Sequence, residues 1–281
     1  MAGSAVFFSL MSLFVKLSGE RLPSMQIVLA RYVVMLVATT WMVYRAGISV
    51  RGTDHRSLIG RSAAGFIALS LFYFAITRLP LGDVTAIHFT SPVFTALIAA
   101  IALKERTGSR VAVGMGFSLF GVLLVAQPSF LFGGAGLDQT AVAAGLVAAV
   151  LSAIAYVFVR KLRATDHPYV VIFWFSAIGL VLSLPIAAPG LIMPTPREWL
   201  LLLGVGLTTQ VAQVFLTRGL HLEAAGKAAS IGYLQIIFAF IWGALVFGDF
   251  PGALNLLGAV IIAGSVIAVS GRKKSGREMS R

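Results

Sequence analysis

Apolar residues in this chain come in unbroken runs of about 16–21 residues, with neither the strict alternation of a half-buried strand nor the narrow stripe of a surface helix. Crossing a hydrocarbon core of ~30 Å takes ~17–25 residues as a helix. Ten such runs are predicted as membrane spans, at 2–18, 24–44, 62–77, 84–103, 111–126, 141–159, 169–187, 199–216, 228–247 and 253–270. Short joints separate them and carry turn-forming residues, as at Gly19 to Pro23, Arg78 to Asp83 and Gly248 to Gly252. The longest joint, 127–140, holds Gly133, Gly134 and Gly136 and falls at mid-chain. The first run lacks a basic leader and a small-residue cleavage site, and nine similar runs follow, so it reads as span 1 rather than a signal peptide.

Composition excludes the soluble alternatives. The 281 residues are 58% hydrophobic and only 11% charged, and the mean hydropathy is +0.94. Soluble domains run about 45–50% apolar and about 25% charged. There is no cysteine, so disulfides, thiolate metal sites and cysteine nucleophiles are excluded. The net charge of +12 would point to nucleic acid in a soluble protein. Here its distribution follows membrane topology instead. Seventeen of the 22 Lys and Arg fall on one side of a ten-span chain, including Arg45, Arg51, Arg56, Arg61, Lys104, Arg160 and the tail from Arg272 to Arg281. Lys16, Arg21, Arg78 and Arg197 fall on the other, with Arg31 inside span 2. Cytoplasmic joints are the basic ones. Both termini are therefore expected in the cytoplasm, in a bacterial inner membrane, with the lipid bilayer as partner and no nucleic acid.

The halves repeat. Lys16 and Pro23 match Lys161 and Pro168, and Thr77-Arg78 matches Thr217-Arg218. Glu105, Gly108 and Gly114 match Asp249, Gly252 and Gly258 at an offset of 144. Five spans per half is an odd number, so the second half enters from the opposite face and the repeats are inverted. This arrangement is shared by many secondary transporters, whose site lies between the halves near the midplane. The division is 2–126 for the first repeat, 127–140 for the linker, 141–270 for the second repeat and 271–281 for the basic tail.

The run LPLGDVTAIHFTSPVFTALIAAIALKERTGSRVAVGMGFSLFGVLLV, residues 79–125, resembles the EamA-type domain of the drug/metabolite transporter superfamily. Pro92, Glu105 and the glycines Gly114, Gly116 and Gly121 carry the resemblance. The second copy is looser, with Asp249 for the glutamate and Ile236 for the proline. Among these proteins the chain is most similar to the YddG-type aromatic amino acid exporters. The resemblance implies an all-α polytopic protein, ten helices in two inverted five-helix repeats around a cavity lined by spans 1, 3, 4, 6, 8 and 9.

A polar side chain inside a bilayer must find a partner or line a cavity. Span 3 carries Ser70, Tyr73 and Thr77, and span 8 carries Gln210, Gln213 and Thr217. Each set is spaced i, i+3, i+7 on one helical face, and the two correspond through the repeat. Span 4 shows Thr85, His88, Ser91 and Thr95 on one face, and Gln235 of span 9 is the mate of Ser91. The predicted substrate-binding set is therefore His88, Ser91, Thr85, Thr95, Tyr73, Ser70, Gln210, Gln213, Gln235, Tyr233 and Tyr156, with Pro92 kinking span 4. For the Ser and Thr members, back-bonding to their own helix or bonding to a neighbouring helix is the leading reading. For His88, Gln213 and Gln235 the cavity reading leads. Tyr73, Phe89, Tyr156, Tyr233 and Trp242 offer rings to a ligand, whereas Trp41, Tyr44 and Trp199 sit at span ends as interfacial anchors. Arg31 is expected to snorkel outward. Stripes of small residues, Ala141, Gly145, Ala149 and Ala153 in span 6 and Gly114 with Ser118 in span 5, favour close helix packing. A homodimer through spans 5 and 10 is one use of such a stripe.

No Asp or Glu falls within an apolar run, which disfavours a carboxylate proton relay. No metal-binding, Ser–His–Asp or P-loop motif is present. An enzyme is not expected, and neither a metal nor a cofactor is implied. The reading is a secondary transporter that exports small amphipathic metabolites, (aromatic) amino acids foremost. A drug or cation exporter is the alternative within transporters, and a non-transporting sensor or interaction module is the alternative outside them.

Overall fold

The computed structural model describes residues 1–76, 78–79, 81–132, 136–248 and 252–270. Thr77, Asp249, Gly133, Gly134 and the basic tail lie outside the described residues. The described chain is helical: α1 (Ala2–Ser18), α2 (Ser24–Arg45), α3 (His55–Ile76), α4 (Leu81–His88), α5 (Ser91–Ala102), α6 (Ser109–Ala126), a short α7 (Ser129–Phe132), α8 (Gln139–Leu162), α9 (Pro168–Ala187), α10 (Pro196–Leu222), α11 (Ala225–Ile231), α12 (Leu234–Trp242) and α13 (Ala253–Ser270). Among the described residues, nine stretches are long and apolar enough to cross a membrane, and α1 is a shorter tenth. Trp41, Tyr44 and Trp199 are exposed at helix ends, and an outward belt of side chains such as Ile101, Phe117 and Val260 is exposed as a lipid-facing surface would be.

Capping chemistry makes several helices longer than their apolar runs. Asp54 accepts from the Ser57 N–H at 3.1 Å and from its hydroxyl at 2.6 Å, which starts α3 at His55, seven residues before the apolar run. Asp138 accepts from the Thr140 N–H at 2.9 Å and opens α8. A capping box between Thr195 and Glu198 opens α10. Arg56 and Arg61, expected in joints, are therefore helical residues, and so are Arg160, Lys161, Arg218 and His221, where α8 and α10 run past the C-terminal ends of their apolar runs. Arg61 is also buried, at 3% exposure. Arg31 is buried at 7% rather than snorkelling to the surface.

The packing pairs off by repeat. α3 lies on α8 as α10 lies on α1, α5 contacts α8 as α12 contacts α1, and α3 contacts α9 as α10 contacts α2. α2–α9 and α6–α13 are self-paired across the same pseudo-two-fold relation. The small faces of α6 and α13 meet each other within the chain: a Cβ added to Gly258 would sit 2.5 Å from the Gly121 carbonyl. Two helices this close need glycine at the crossing. The homodimer anticipated through these spans has no counterpart in this packing, because the crossing glycines of both spans already contact one another inside one chain. The span 6 stripe is consumed likewise, with Ala141, Ala149 and Ala153 fully buried and Gly145 against Ile87.

Candidate functional site

Spans 4 and 9 are both interrupted, at corresponding points. α4 ends at His88 and α5 begins at Ser91, while α11 ends at Ile231 and α12 begins at Leu234. The offset of 144 that pairs Glu105 with Asp249 also pairs His88 with Gly232 and Phe89 with Tyr233. Pro92, expected to kink the span, occupies the first turn of α5, where its missing N–H leaves no donor unmatched. The second break has no proline. It is carried by Gly232, whose N–H reaches back to the Ala229 carbonyl at 2.9 Å in a tight turn. Paired discontinuous helices of this kind free backbone groups at the midplane of many transporters.

A cavity of about 40 Å³ lies where the breaks meet, between α1, the α4–α5 break, α8, α10 and the α11–α12 break. It has room for a few waters, at ~10–15 Å³ each. His88, Ser91, Pro92, Tyr156 and Gln235 line it, and so do Ser4, Phe8, Phe89 and Gly232. Met1 also lines it. The resemblance implied span 1 in the lining, but Ser4 and Ala5 are ordinary small residues of an apolar run and could not be singled out. Among the described residues, spans 1, 4, 6, 8 and 9 supply lining residues and span 3 supplies none.

His88 is the centre of an aromatic ladder. Its ring is 4.6 Å from that of Phe72 and 5.6 Å from that of Phe89. Phe89 in turn stacks on Tyr233 at 5.8 Å. The His88 Nδ1 atom and the Tyr233 hydroxyl are buried with no hydrogen-bond partner. Each such orphan costs ~1–3 kcal/mol of desolvation.

The remaining predicted residues are held elsewhere. The Ser70 hydroxyl donates to the Phe66 carbonyl and the Thr95 hydroxyl to that of Ser91, both i−4 bonds to their own helix. Gln210 accepts from Thr39 at 3.0 Å and donates to the Met42 sulfur at 3.3 Å, which ties α10 to α2. Gln213 accepts from Arg61 Nη2 at 3.3 Å. Thr85 is partly buried in α4 and Tyr73 packs beside Phe72 at 6.3 Å, but neither lines the cavity. Tyr233 lies behind Phe89 rather than in the lining. Trp242 donates to Ser9 Oγ at 2.9 Å, which binds α12 to α1. Among the described residues, no group of three or more His, Asp or Glu is arranged to hold a metal.

The EamA-like transporter family matches residues 1–127 and 139–271. The chain is 32% identical to the pseudopaline exporter CntI of Pseudomonas aeruginosa, over 95% of this chain and 93% of that one. It is 31% identical to solute carrier family 35 member G1 of Homo sapiens, over 96% of this chain and 77% of that one. An uncharacterised transporter of Helicobacter pylori is 24% identical over 94% of this chain and 90% of its own. One crystal structure superposes with a TM-score of 0.81 at 15% identity, covering 95% of this chain and 96% of that one, which shows a shared fold.

Proposed function

The chain belongs to the EamA-like transporter family, and on that premise we propose that it exports small amphipathic metabolites, amino acids among them, by alternating access between its two halves. It is a multi-pass membrane transporter and not an enzyme. The observation that carries the finer reading is the meeting of two symmetry-related helix breaks at a cavity lined by His88, whose Nδ1 is buried without a partner. A neutral imidazole offers one donor and one acceptor, enough to orient an amino or carboxyl group. The Phe72–His88–Phe89–Tyr233 ladder supplies aromatic surface for an apolar or ring-bearing side chain. At about 40 Å³ the cavity is far below the ~300–1,000 Å³ of a drug-sized pocket, so this conformation is a constricted one that must open to admit substrate. Export, a bacterial inner-membrane location and cytoplasmic termini are part of this reading, supported by the Pseudomonas exporter and the skew of basic residues. Counterflow of labelled amino acids into proteoliposomes of the purified protein is the test. Accumulation of phenylalanine or another amino acid supports the reading. A protein that passes only lipophilic cations is a drug exporter instead, and one that passes nothing is not a transporter of this class of solute.

A further inference from the structure

Two arginines sit inside the helix bundle with no carboxylate partner among the described residues. Arg31 of α2 is 7% exposed and Arg61 of α3 is 3% exposed. The ion pairs of the described chain all involve other cations. The guanidinium of Arg61 rests 3.6 Å over the Phe175 ring and gives one hydrogen bond, to Gln213. Its seat is shaped for it: a Cβ on Gly65 would stand 2.9 Å from Arg61 Nη1 and 3.0 Å from the Phe175 ring. Arg61 Nε, Arg31 Nε and the Tyr32 hydroxyl are all buried without partners. Three unfilled donors thus collect in one region: Arg31 Cζ lies 5.7 Å from the Tyr32 ring, whose centroid is 5.4 Å from that of the Phe175 ring that Arg61 covers. The Tyr156 hydroxyl interacts electrostatically with both guanidinium groups. Tyr156 also lines the cavity, so the cationic region adjoins it.

Arginine stays charged in any protein environment. A lone buried charge costs several kcal/mol, and two like charges within reach of each other cost more. The missing component is an anion, and a guanidinium fork fits the two oxygens of a carboxylate. We propose that Arg31 and Arg61 form the recognition site for the carboxylate groups of a net-anionic organic substrate. This deepens the transporter reading above and rests on it. The same charges repel lipophilic cations.

The test uses the purified full chain, wild type and variants, with glutamate, succinate, phenylalanine, tetraphenylphosphonium and inorganic phosphate as probes. In the wild type, glutamate or succinate raises the melting temperature and shows counterflow. Arg31→Gln and Arg61→Gln each cut that counterflow by about tenfold or more, as expected for a lost charged hydrogen bond, and abolish the ligand-induced shift. Their ligand-free melting temperature does not fall, because each removes an unpaired buried charge. Arg61→Lys keeps the charge without the fork and lies between. Counterflow of phenylalanine or tetraphenylphosphonium with none of glutamate or succinate overturns the anion site while transport itself stands. A phosphate-induced shift equal to that of succinate overturns carboxylate recognition. Glutamine variants that melt lower but transport at the wild-type rate overturn the site in favour of a packing role. No flux of any probe overturns both this site and the transporter reading.

Discussion

The ring of Phe89 in the break of span 4 stacks on the ring of Tyr233 in the break of span 9, with centroids 5.8 Å apart and planes 28° from parallel. These two residues occupy equivalent positions in the two repeats. The symmetry of the sequence thus closes on itself at one contact, and any movement of one half against the other must slide or part it. Interrupted helices can accommodate that movement, because the turns at the breaks do not hold a full i−4 ladder.

His88 stands beside this contact with its Nδ1 unpartnered. His88→Ala is expected to lower substrate counterflow roughly three- to tenfold, the equivalent of one neutral hydrogen bond of ~0.5–1.5 kcal/mol. His88→Gln keeps a donor and an acceptor and should retain part of the activity. Both variants should elute from detergent as single species. Wild-type flux in the alanine variant would show that the imidazole only packs against Phe72.

Gly258→Val tests the α6–α13 crossing. The new side chain would meet the Gly121 carbonyl and the Val125 side chain, both within 2.8 Å of its Cβ. Overpacking of this degree costs about 1–3 kcal/mol, read as a lower melting temperature in detergent. Gly264→Val, with open space around its Cβ, is the control on the same helix.

The number of spans was legible because lipid forces each crossing backbone to satisfy its own hydrogen bonds, which leaves uninterrupted apolar runs in the sequence. The break at Ser91 was half legible: Pro92 announced a disturbance but not its extent. Its mate at Gly232 and Tyr233 carried no proline and was visible only through the repeat. Gln210 and Gln213 were read as cavity residues because amides are hard to hide in lipid, yet Thr39, Met42 and Arg61 occupy them. Arg61 was misplaced for a related reason. A basic residue at the edge of an apolar run reads as a topology signal, and the features that bury it, Gly65, Phe175 and Gln213, come from three different helices. Long-range pairing of that kind leaves no local trace.

Topology can be read directly with reporters. A reporter fused after Ser270 and one inserted between Arg45 and Arg51 should both lie in the cytoplasm, and one at Gly134 in the periplasm. The motive is the skew of basic residues, which persists with Arg61 removed from the count because sixteen still share one side. Alkaline phosphatase activity from the Ser270 fusion would break both the span count and the inversion of the repeats.

Acid should loosen two helix starts. Hydrogen bonding from the Thr140 side chain and the Ala141 N–H holds the Asp138 carboxyl below its usual range, and the Ser57 hydroxyl and N–H do the same for Asp54. A depressed folded value means that the stabilisation is fully present above the unfolded value, near ~4, and is lost as pH falls through the folded one. Melting temperature is therefore expected to decline through these caps below about pH 5. This comes on top of a shallower decline below about pH 6.5 from His167, whose partial burial and neighbouring Arg218 keep its imidazole below the usual histidine range. Asp138→Asn with Asp54→Asn retains competent caps and should make the decline below about pH 5 shallower, with Glu198, paired to Arg21, supplying the remainder, while changing little at neutral pH. An unchanged acid limb in the double variant would place the titrating groups elsewhere.

Glu105 holds a polar junction between several helix ends. Its Oε1 accepts from Arg160 Nε at 2.6 Å and its Oε2 from the N–H of Ala225, the first residue of α11, at 2.9 Å. Arg160 Nη1 donates in addition to the carbonyls of Leu220 and His221, at 3.0 and 2.8 Å, at the end of α10. One carboxylate and one guanidinium therefore join the α5–α6 turn, α8, α10 and α11. Glu105→Ala would leave Arg160, whose side chain is 8% exposed, without its anion. The expected cost is about 3 kcal/mol, the low end of the ~3–5 kcal/mol for a broken buried pair, because the Glu105 side chain keeps 18% of its surface exposed. Glu105→Gln retains an acceptor for Ala225 and should cost less. The double variant Glu105→Ala with Arg160→Ala removes the stranded charge as well, so its destabilisation should fall short of the sum of the single variants by about 0.5–3 kcal/mol. Thermal unfolding of the four proteins in detergent measures this. Strict additivity would show that the two groups are neighbours without energetic coupling, and that the turn carrying Glu105 is held by its backbone alone.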